Sequence, residues 1–128
     1  MEQVRQRFRT TLEIDADHAT SFNGDMPAFW EDSLFGVDEG SMVRFRIGEV
    51  HFEGSNPCAR CPVPSRDPQT AAIIADFQKR FSQLRQAQLP PWAPTERFDH
   101  FYRLATNTRV ASTQAGKLLR VGAPLTLA

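Results

Sequence analysis

Residues 42–54, MVRFRIGEVHFEG, carry the most regular pattern in the sequence. Apolar and polar side chains alternate along this stretch, and a period of two is typical of a β-strand with one buried face. The apolar positions are Val43, Phe45, Ile47, Val50 and Phe52. The phase of the alternation changes by one residue at Gly48–Glu49, which predicts a bulge or bend that turns the strand toward the residues after it.

Two other parts of the chain also show strand patterns. Residues 4–14, VRQRFRTTLEI, alternate and predict a half-buried strand whose polar face carries Arg7 and Arg9 side by side. Near the C-terminus, residues 97–110 and 116–127 predict two further strands joined by a polar turn. The residues between the first two patterned stretches, 15–41, lack a sustained period and predict a loop with one turn of helix near positions 29–34.

One clear helix is predicted, from about Pro68 to Gln86. Asp67 is a candidate cap and Pro68 suits the first helical position, whereas Pro90 and Pro91 cannot continue a helix. The side chains predicted to be buried recur at helical spacing and are Ile73, Ile74, Phe77, Phe81 and Leu84. The side chains predicted to stay largely outside are Lys79, Arg80 and Arg85.

These elements predict a single α+β domain over residues 1–128, mostly β, with strands before and after one main helix at about 68–86. A chain of 128 residues is about one domain and can bury a real core. Fifteen basic and fifteen acidic side chains cancel, so no net charge attracts nucleic acid or anionic lipid. No apolar run approaches the roughly 18 residues that span a bilayer, and the N-terminus lacks the apolar stretch of a signal peptide. We therefore expect a soluble, cytoplasmic protein with reduced thiols and with neither nucleic acid nor membrane as a partner.

The two cysteines of the chain, Cys58 and Cys61, lie three positions apart in NPCARCPVPSRDPQT, residues 56–70. A structural zinc site needs four ligands, and only the scattered histidines could complete this pair. Those histidines are His18, His51 and His100. A thioredoxin-like dithiol would need a helix directly after the motif, where prolines stand instead. Two ordinary loop thiols remain a further alternative, although Arg60 between them favours the reactive thiolate form.

The segment CARCPVPSRDPQT resembles the cysteine loop of MOSC domains, the C-terminal domains of molybdenum cofactor sulfurases that also occur in the mitochondrial amidoxime-reducing component and its bacterial relatives. The family pattern is C-x-R-C, a short apolar stretch, and D-P-x-T-G before a helix that ends with an arginine. Four more segments resemble the family in the same order along the chain. They are RFRTTLEI (7–14), PAFWEDSLFG (27–36), RIGEVHFEG (46–54) and GKLLRVGAPLTL (116–127).

The resemblance implies a small β-barrel-like domain that binds a pyranopterin molybdenum cofactor. Cys61 matches the cysteine that supplies a thiolate to molybdenum, and a thiolate is a soft ligand suited to a redox metal. The further candidate cofactor-binding residues are Arg7, Arg9, Arg60 and Asp67. Of these, Arg9 matches an arginine expected to reach the phosphate or the pterin, because a guanidinium binds phosphate bidentately.

Two functions follow from the resemblance. One is a molybdenum-cofactor protein that reduces N-oxygenated compounds or transfers sulfur, with an electron-donor or sulfur-donor protein as partner. The alternative is a persulfide sulfur carrier, or a non-catalytic module, that does not retain the cofactor. The chain departs from the family pattern at Thr10–Thr11, Ala71 and Ala123, and it is expected to lack the N-terminal part of full-length relatives, so that it supplies only one wall of a cofactor pocket.

Overall fold

A computed structural model describes residues 2–15 and 28–128. His18 and the middle of the predicted 15–41 loop lie outside the described residues. The elements, in chain order, are α1 (Glu2–Phe8), β1 (Val43–Ile47), β2 (Val50–Ala59), α2 (Phe77–Ala87), β3 (Arg103–Arg109) and β4 (Leu125–Leu127). Short 3-10 helices span Trp30–Leu34, Val63–Ser65, Thr95–Arg97 and Ser112–Gln114.

The four strands form one antiparallel sheet in the order β3-β2-β1-β4. β3 and β4 are its two edges, so the sheet is open over the described residues and a closed barrel is not confirmed. The mixed, sheet-rich α+β class is confirmed. Within the described residues, no helix is both long and apolar enough to cross a membrane.

The alternating stretch at residues 42–54 forms a β-hairpin rather than one bent strand. Ile47 pairs with Val50 across a two-residue turn, and Gly48 occupies its first position with φ +58°, a conformation that favours glycine. The one-residue change of phase is therefore a chain reversal, which keeps the apolar side chains of both strands on one face. Four of these side chains, Phe45, Ile47, Val50 and Phe52, form the main core together with Leu34 of the 3-10 helix.

The predicted strand at residues 4–14 is wrong. Residues 2–8 form α1, whose side chains are good helix formers and include a Gln6–Glu2 hydrogen bond of 3.1 Å between positions four apart. Arg9 adopts a left-handed φ of +49° at the end of this helix, which stops both helix and strand. Leu12 and Ile14, expected on the buried face, are exposed.

The predicted helix at 68–86 begins nine residues late, at Phe77. Positions 66 and 73 instead pair as an antiparallel bridge, because the Asp67 side chain binds the backbone of the turn between them. Ala71 and Asp76 have left-handed φ values of +60° and +59°, which no helix accommodates. Of the predicted buried stripe, Phe77 and Phe81 are half-buried, while Ile73, Ile74 and Leu84 are exposed.

The C-terminal predictions hold in part. β3 lies inside the predicted 97–110 strand, and a 3-10 turn follows it at 112–114. Of the predicted strand 116–127, only Leu125–Leu127 pairs, with residues 45–47 of β1. The turn of helix predicted near 29–34 is confirmed as the 3-10 helix Trp30–Leu34.

Candidate functional site

The two cysteines sit in different environments. Cys58 belongs to β2 and is half-buried, whereas Cys61 lies two residues beyond the end of that strand and is exposed. Arg60, between them, donates its backbone N–H to the carbonyl of Tyr102 at 3.0 Å, which continues the β2–β3 pairing past the strand end. Cys58 is therefore held in the sheet, and Cys61 is presented on the loop that follows it.

The side chain of Arg60 contacts Cys58 rather than Cys61. Its Nη1 donates to Cys58 Sγ at 3.4 Å, and its Nη2 donates to the backbone carbonyl of Phe8. The guanidinium also lies over the Phe8 ring, 5.4 Å from the centroid. Arg60 thus joins the cysteine segment to α1, a contact that sequence spacing alone does not indicate.

Arg7 fastens the same helix to the residues after Cys61. Its buried guanidinium donates from Nη1 to the carbonyls of Pro64 at 3.1 Å and Arg66 at 2.6 Å. It also lies 3.9 Å from Asp67 Oδ2 and over the ring of Phe77. Because both of these hydrogen bonds go to backbone carbonyls of the loop, the observed contacts of Arg7 are those of a residue that positions the loop.

Asp67 closes the turn that replaces the start of the predicted helix. Its Oδ1 accepts from the backbone N–H of Gln69 at 3.0 Å and of Thr70 at 2.8 Å, and from the Thr70 hydroxyl at 3.0 Å. These hydrogen bonds, led by that from the Thr70 N–H, hold the pKa of Asp67 below its ordinary value. The carboxylate is therefore a turn former and stays charged at neutral pH.

An open cleft of about 560 Å³ lies between the end of α1 and this turn. Three arginines line it: buried Arg7, and exposed Arg9 and Arg66. Val63, two residues after Cys61, also lines the cleft, but Cys61 does not. The cleft therefore offers guanidinium groups to an anion next to the loop that carries the exposed thiol.

The most buried polar pair of the described residues was missed by sequence reasoning. Arg85 of α2 and Asp32 of the 3-10 helix are 1% and 2% exposed, and Arg85 Nη2 lies 2.7 Å from each carboxylate oxygen. Burial nevertheless raises the pKa of Asp32, against the lowering effect of Arg85. The prediction that Arg85 lies outside is wrong. Its spacing of four residues from Phe81 and eight from Phe77 places it on their side of the helix.

In the described parts of the chain, the side chains do not form a metal-binding group on their own. Residues 2–15 and 28–128 contain no group of three or more His, Cys, Asp or Glu side chains placed to hold a metal ion.

Fold and site together define a small sheet-rich domain with an arginine-lined cleft beside a two-cysteine loop. The family model of the MOSC domain matches residues 5–126, almost the whole chain. The chain belongs to the MOSC domain family. Searches of curated proteins and of solved structures gave no significant match to the chain.

Proposed function

We propose that the chain binds molybdenum cofactor, with Cys61 as the thiolate ligand of molybdenum. MOSC domains are associated with this cofactor and with sulfur transfer. The observation that supports the proposal best is the exposed Cys61 thiol on a loop next to a cleft lined by three arginines. Soft sulfur on one side and guanidinium groups on the other match the two chemically distinct ends of a phosphorylated metal–pterin.

The residues present fit this group in their chemistry. A volume of about 560 Å³ lies within the range of small-molecule sites. Arg9 and Arg66 are exposed and would bind the phosphate, while Arg7 would hold the loop between cleft and thiol. When bound, the cofactor supplies a redox-active metal able to reduce N-oxygenated compounds or to transfer sulfur.

The chain's own residues have separable tasks in this proposal. Cys61 provides the sulfur, and the backbone bond from Arg60 to Tyr102 fixes where its loop leaves the sheet. Arg7 sets the path of residues 64–66, and the Asp67 turn directs the chain around the cleft. Cys58, bonded to Arg60, is a second thiol that supports the loop and is not a proposed ligand.

A second function, that of a persulfide carrier, has its own support. Cys61 is exposed and does not line the arginine cleft, and a sulfur carrier needs only one accessible thiol. In this alternative Cys61 holds a sulfane sulfur for a partner protein, and the cleft binds no cofactor. The two functions share Cys61 and differ in whether molybdenum and pterin are retained.

Metal and pterin analysis separates them. The protein would be purified from a host that makes molybdenum cofactor, as wild type and as Cys61→Ser and Cys58→Ser variants. We expect near-stoichiometric molybdenum in wild type and Cys58→Ser, and none in Cys61→Ser. Absence of molybdenum and pterin from all three proteins would reject the cofactor function, and trapping of a persulfide on Cys61 would then support the carrier.

A further inference from the structure

The end of β2 sets how the two thiols are oriented relative to each other. Ala59 pairs with Arg103 of β3, and Arg60 donates its backbone N–H to the Tyr102 carbonyl at 3.0 Å. The first turn after the strand begins at Pro62, whose carbonyl closes it. The chain is therefore held extended through position 60 and does not turn before position 62.

The two thiols lie on opposite faces of this extended segment. Side chains alternate across a strand, so residues two apart share a face and neighbours do not. The contact between Arg60 and Cys58 follows this rule, since Arg60 Nη1 donates to Cys58 Sγ at 3.4 Å. By the same alternation, Cys61 shares the other face with Ala59, and both of these residues are exposed.

Distance along the chain separates the thiols as well. Three residues of extended chain span about 10 Å, whereas the Cα atoms of a disulfide lie roughly 4.4–6.8 Å apart. Cys58 Sγ is also anchored on its own face, because it donates to the Ala59 carbonyl at 3.6 Å and accepts from Arg60. A bond between Cys58 and Cys61 therefore requires residues 58–61 to leave their strand conformation.

We propose that the end of β2 keeps Cys58 out of reach of Cys61, so that Cys61 acts as a single thiol and passes a bound sulfane sulfur only to an external thiol. The sulfur transfer rests on the proposed carrier function, whereas the separation of the thiols does not. In the transfer, the external thiolate attacks the outer sulfur, and the electron pair of the S–S bond returns to Cys61 as thiolate. In the competing reaction, Cys58 thiolate would attack the Cys61 sulfur, form a disulfide and expel the outer sulfur as hydrosulfide.

Phenylarsine oxide tests the separation without any bound sulfur. It joins two neighbouring thiols through two As–S bonds with loss of one water, and mass spectrometry after gel filtration detects the adduct. We expect wild type in urea to form the adduct and folded wild type to form it at least roughly ten-fold more slowly, because misplaced reactants lose rate steeply. Cys58→Ser, which has one thiol, is the control for binding to a single cysteine.

A matched variant places two thiols on one face of the strand. In Cys58→Ser/Ala59→Cys, the new thiol replaces an exposed side chain two residues from Cys61 and on the same face. We expect this variant to form the adduct while folded, with circular dichroism verifying the fold. Equal rates for folded wild type and this folded variant would overturn the proposal, because they would show that the strand does not separate Cys58 from Cys61.

Sulfur release gives a second readout. The probe is inorganic polysulfide, which transfers one sulfane sulfur to a cysteine thiolate and departs one sulfur shorter. In folded wild type we expect the added sulfur to persist as long as in Cys58→Ser and to leave when glutathione is added. In urea, wild type should lose it as hydrosulfide and become the disulfide, while Cys58→Ser keeps it. Disulfide formation in the folded protein at a rate within about ten-fold of that in urea would overturn the proposal.

Failure of the proposed functions gives different results. If Cys61 takes up no sulfur, the carrier function is rejected and the arsenical comparison decides the separation of the thiols alone. Molybdenum and pterin are measured on the same preparations and test only the cofactor function.

Discussion

Nη2 of Arg85 lies 2.7 Å from both carboxylate oxygens of Asp32, at a position where neither side chain is more than 2% exposed. The guanidinium also lies over two aromatic rings, 3.8 Å from the centroid of Phe29 and 5.1 Å from that of Phe98. Its Nε donates to the carbonyl of Arg103 at 3.2 Å. One arginine thus connects α2, the 3-10 helix before the hairpin, and β3.

Removal of either partner of this pair should be strongly destabilising. Arg85→Ala leaves Asp32 as an uncompensated buried carboxylate, and we expect a loss of about 3–5 kcal/mol in the free energy of unfolding, measured by urea denaturation. The exposed Arg80→Ala on the same helix is the control and should change it by less than about 0.5 kcal/mol. A loss below about 1 kcal/mol for Arg85→Ala would contradict a stabilising role for the pair.

Glu31 should make the stability of the protein pH-dependent. Burial raises its pKa above the ordinary value of 4.5, and the charge of Asp32 adds to this, although backbone hydrogen bonds and Arg85 oppose it. The folded chain therefore keeps a proton that the unfolded chain has lost, and stability decreases as the pH rises from 4.5 through the raised pKa. Glu31→Gln should remove this loss.

Urea denaturation of wild type and Glu31→Gln at a series of pH values checks this prediction. The variant's advantage should be small near pH 4.5, grow as the pH rises, and become constant above the raised pKa of Glu31. Glu96→Gln, at an exposed acidic position, is the control. An advantage that shrinks with rising pH would show that the linkage has the opposite sign.

Replacement of Ala71 by glycine should stabilise the protein. It adopts a φ of +60°, in the left-handed region where a side chain costs roughly 1–2 kcal/mol, and the MOSC pattern has glycine at this position. After the greater entropy of glycine in the unfolded chain is subtracted, Ala71→Gly should stabilise the protein by about 0.5–1 kcal/mol in thermal or urea unfolding. Its neighbour Ala72 has no such φ, so Ala72→Gly should destabilise, and equal effects of the two changes would refute this argument.

Arg7 and Arg9 should behave oppositely when each is replaced by alanine. Arg7→Ala leaves the carbonyls of Pro64 and Arg66 without their donor and should cost about 2 kcal/mol of stability. Arg9 is exposed and lines the cleft, so Arg9→Ala should keep stability within about 0.5 kcal/mol. It should instead weaken binding of inorganic phosphate roughly three-fold or more, measured by phosphorus NMR titration.

The comparison includes an exposed arginine away from the cleft. Arg44→Ala, on the exposed side of β1, should alter neither stability nor phosphate binding. Equal phosphate affinities for Arg9→Ala and Arg44→Ala would show that phosphate does not bind in the cleft. A stable Arg7→Ala would show that the loop does not depend on α1.

The extended, one-sided pattern of residues 42–54 and the family could be predicted because each has a local signature, whereas the chain reversal at Gly48–Glu49 was predicted only as a bulge or bend. The alternation at residues 42–54 needs only one buried face, and the C-x-R-C loop is recognised by its spacing. The helix start could not be predicted in the same way, because Asp67 and Pro68 suit a helix cap as well as the turn that they form. The turn forms because the Asp67 carboxylate accepts hydrogen bonds from the backbone N–H groups of Gln69 and Thr70. Whether such a side chain forms a turn or caps a helix depends on local geometry and not on composition.

The position of Arg85 was recoverable from spacing but not from charge. Its helical spacing from Phe77 and Phe81 indicates that it lies on the side of α2 that packs against the protein, whereas its charge favours a position exposed to solvent. The partner that makes burial possible, Asp32, is 53 positions away and has no local signal. The contacts of Arg7 with the Pro64 carbonyl and of Arg60 with the Phe8 carbonyl also span more than 50 positions and depend on the tertiary fold.

These long-range contacts of α1 have a consequence for how the site is lost. A peptide of residues 56–70 would contain both thiols but neither the Phe8 carbonyl that receives Arg60 nor the Arg7 guanidinium that holds residues 64–66. The shape of the thiol segment is therefore a cooperative property, because it depends on a helix that lies more than 50 positions earlier in the sequence. Detachment of α1 from the cysteine segment should expose half-buried Cys58 to thiol reagents before the hairpin itself unfolds, whereas exposed Cys61 should react without it.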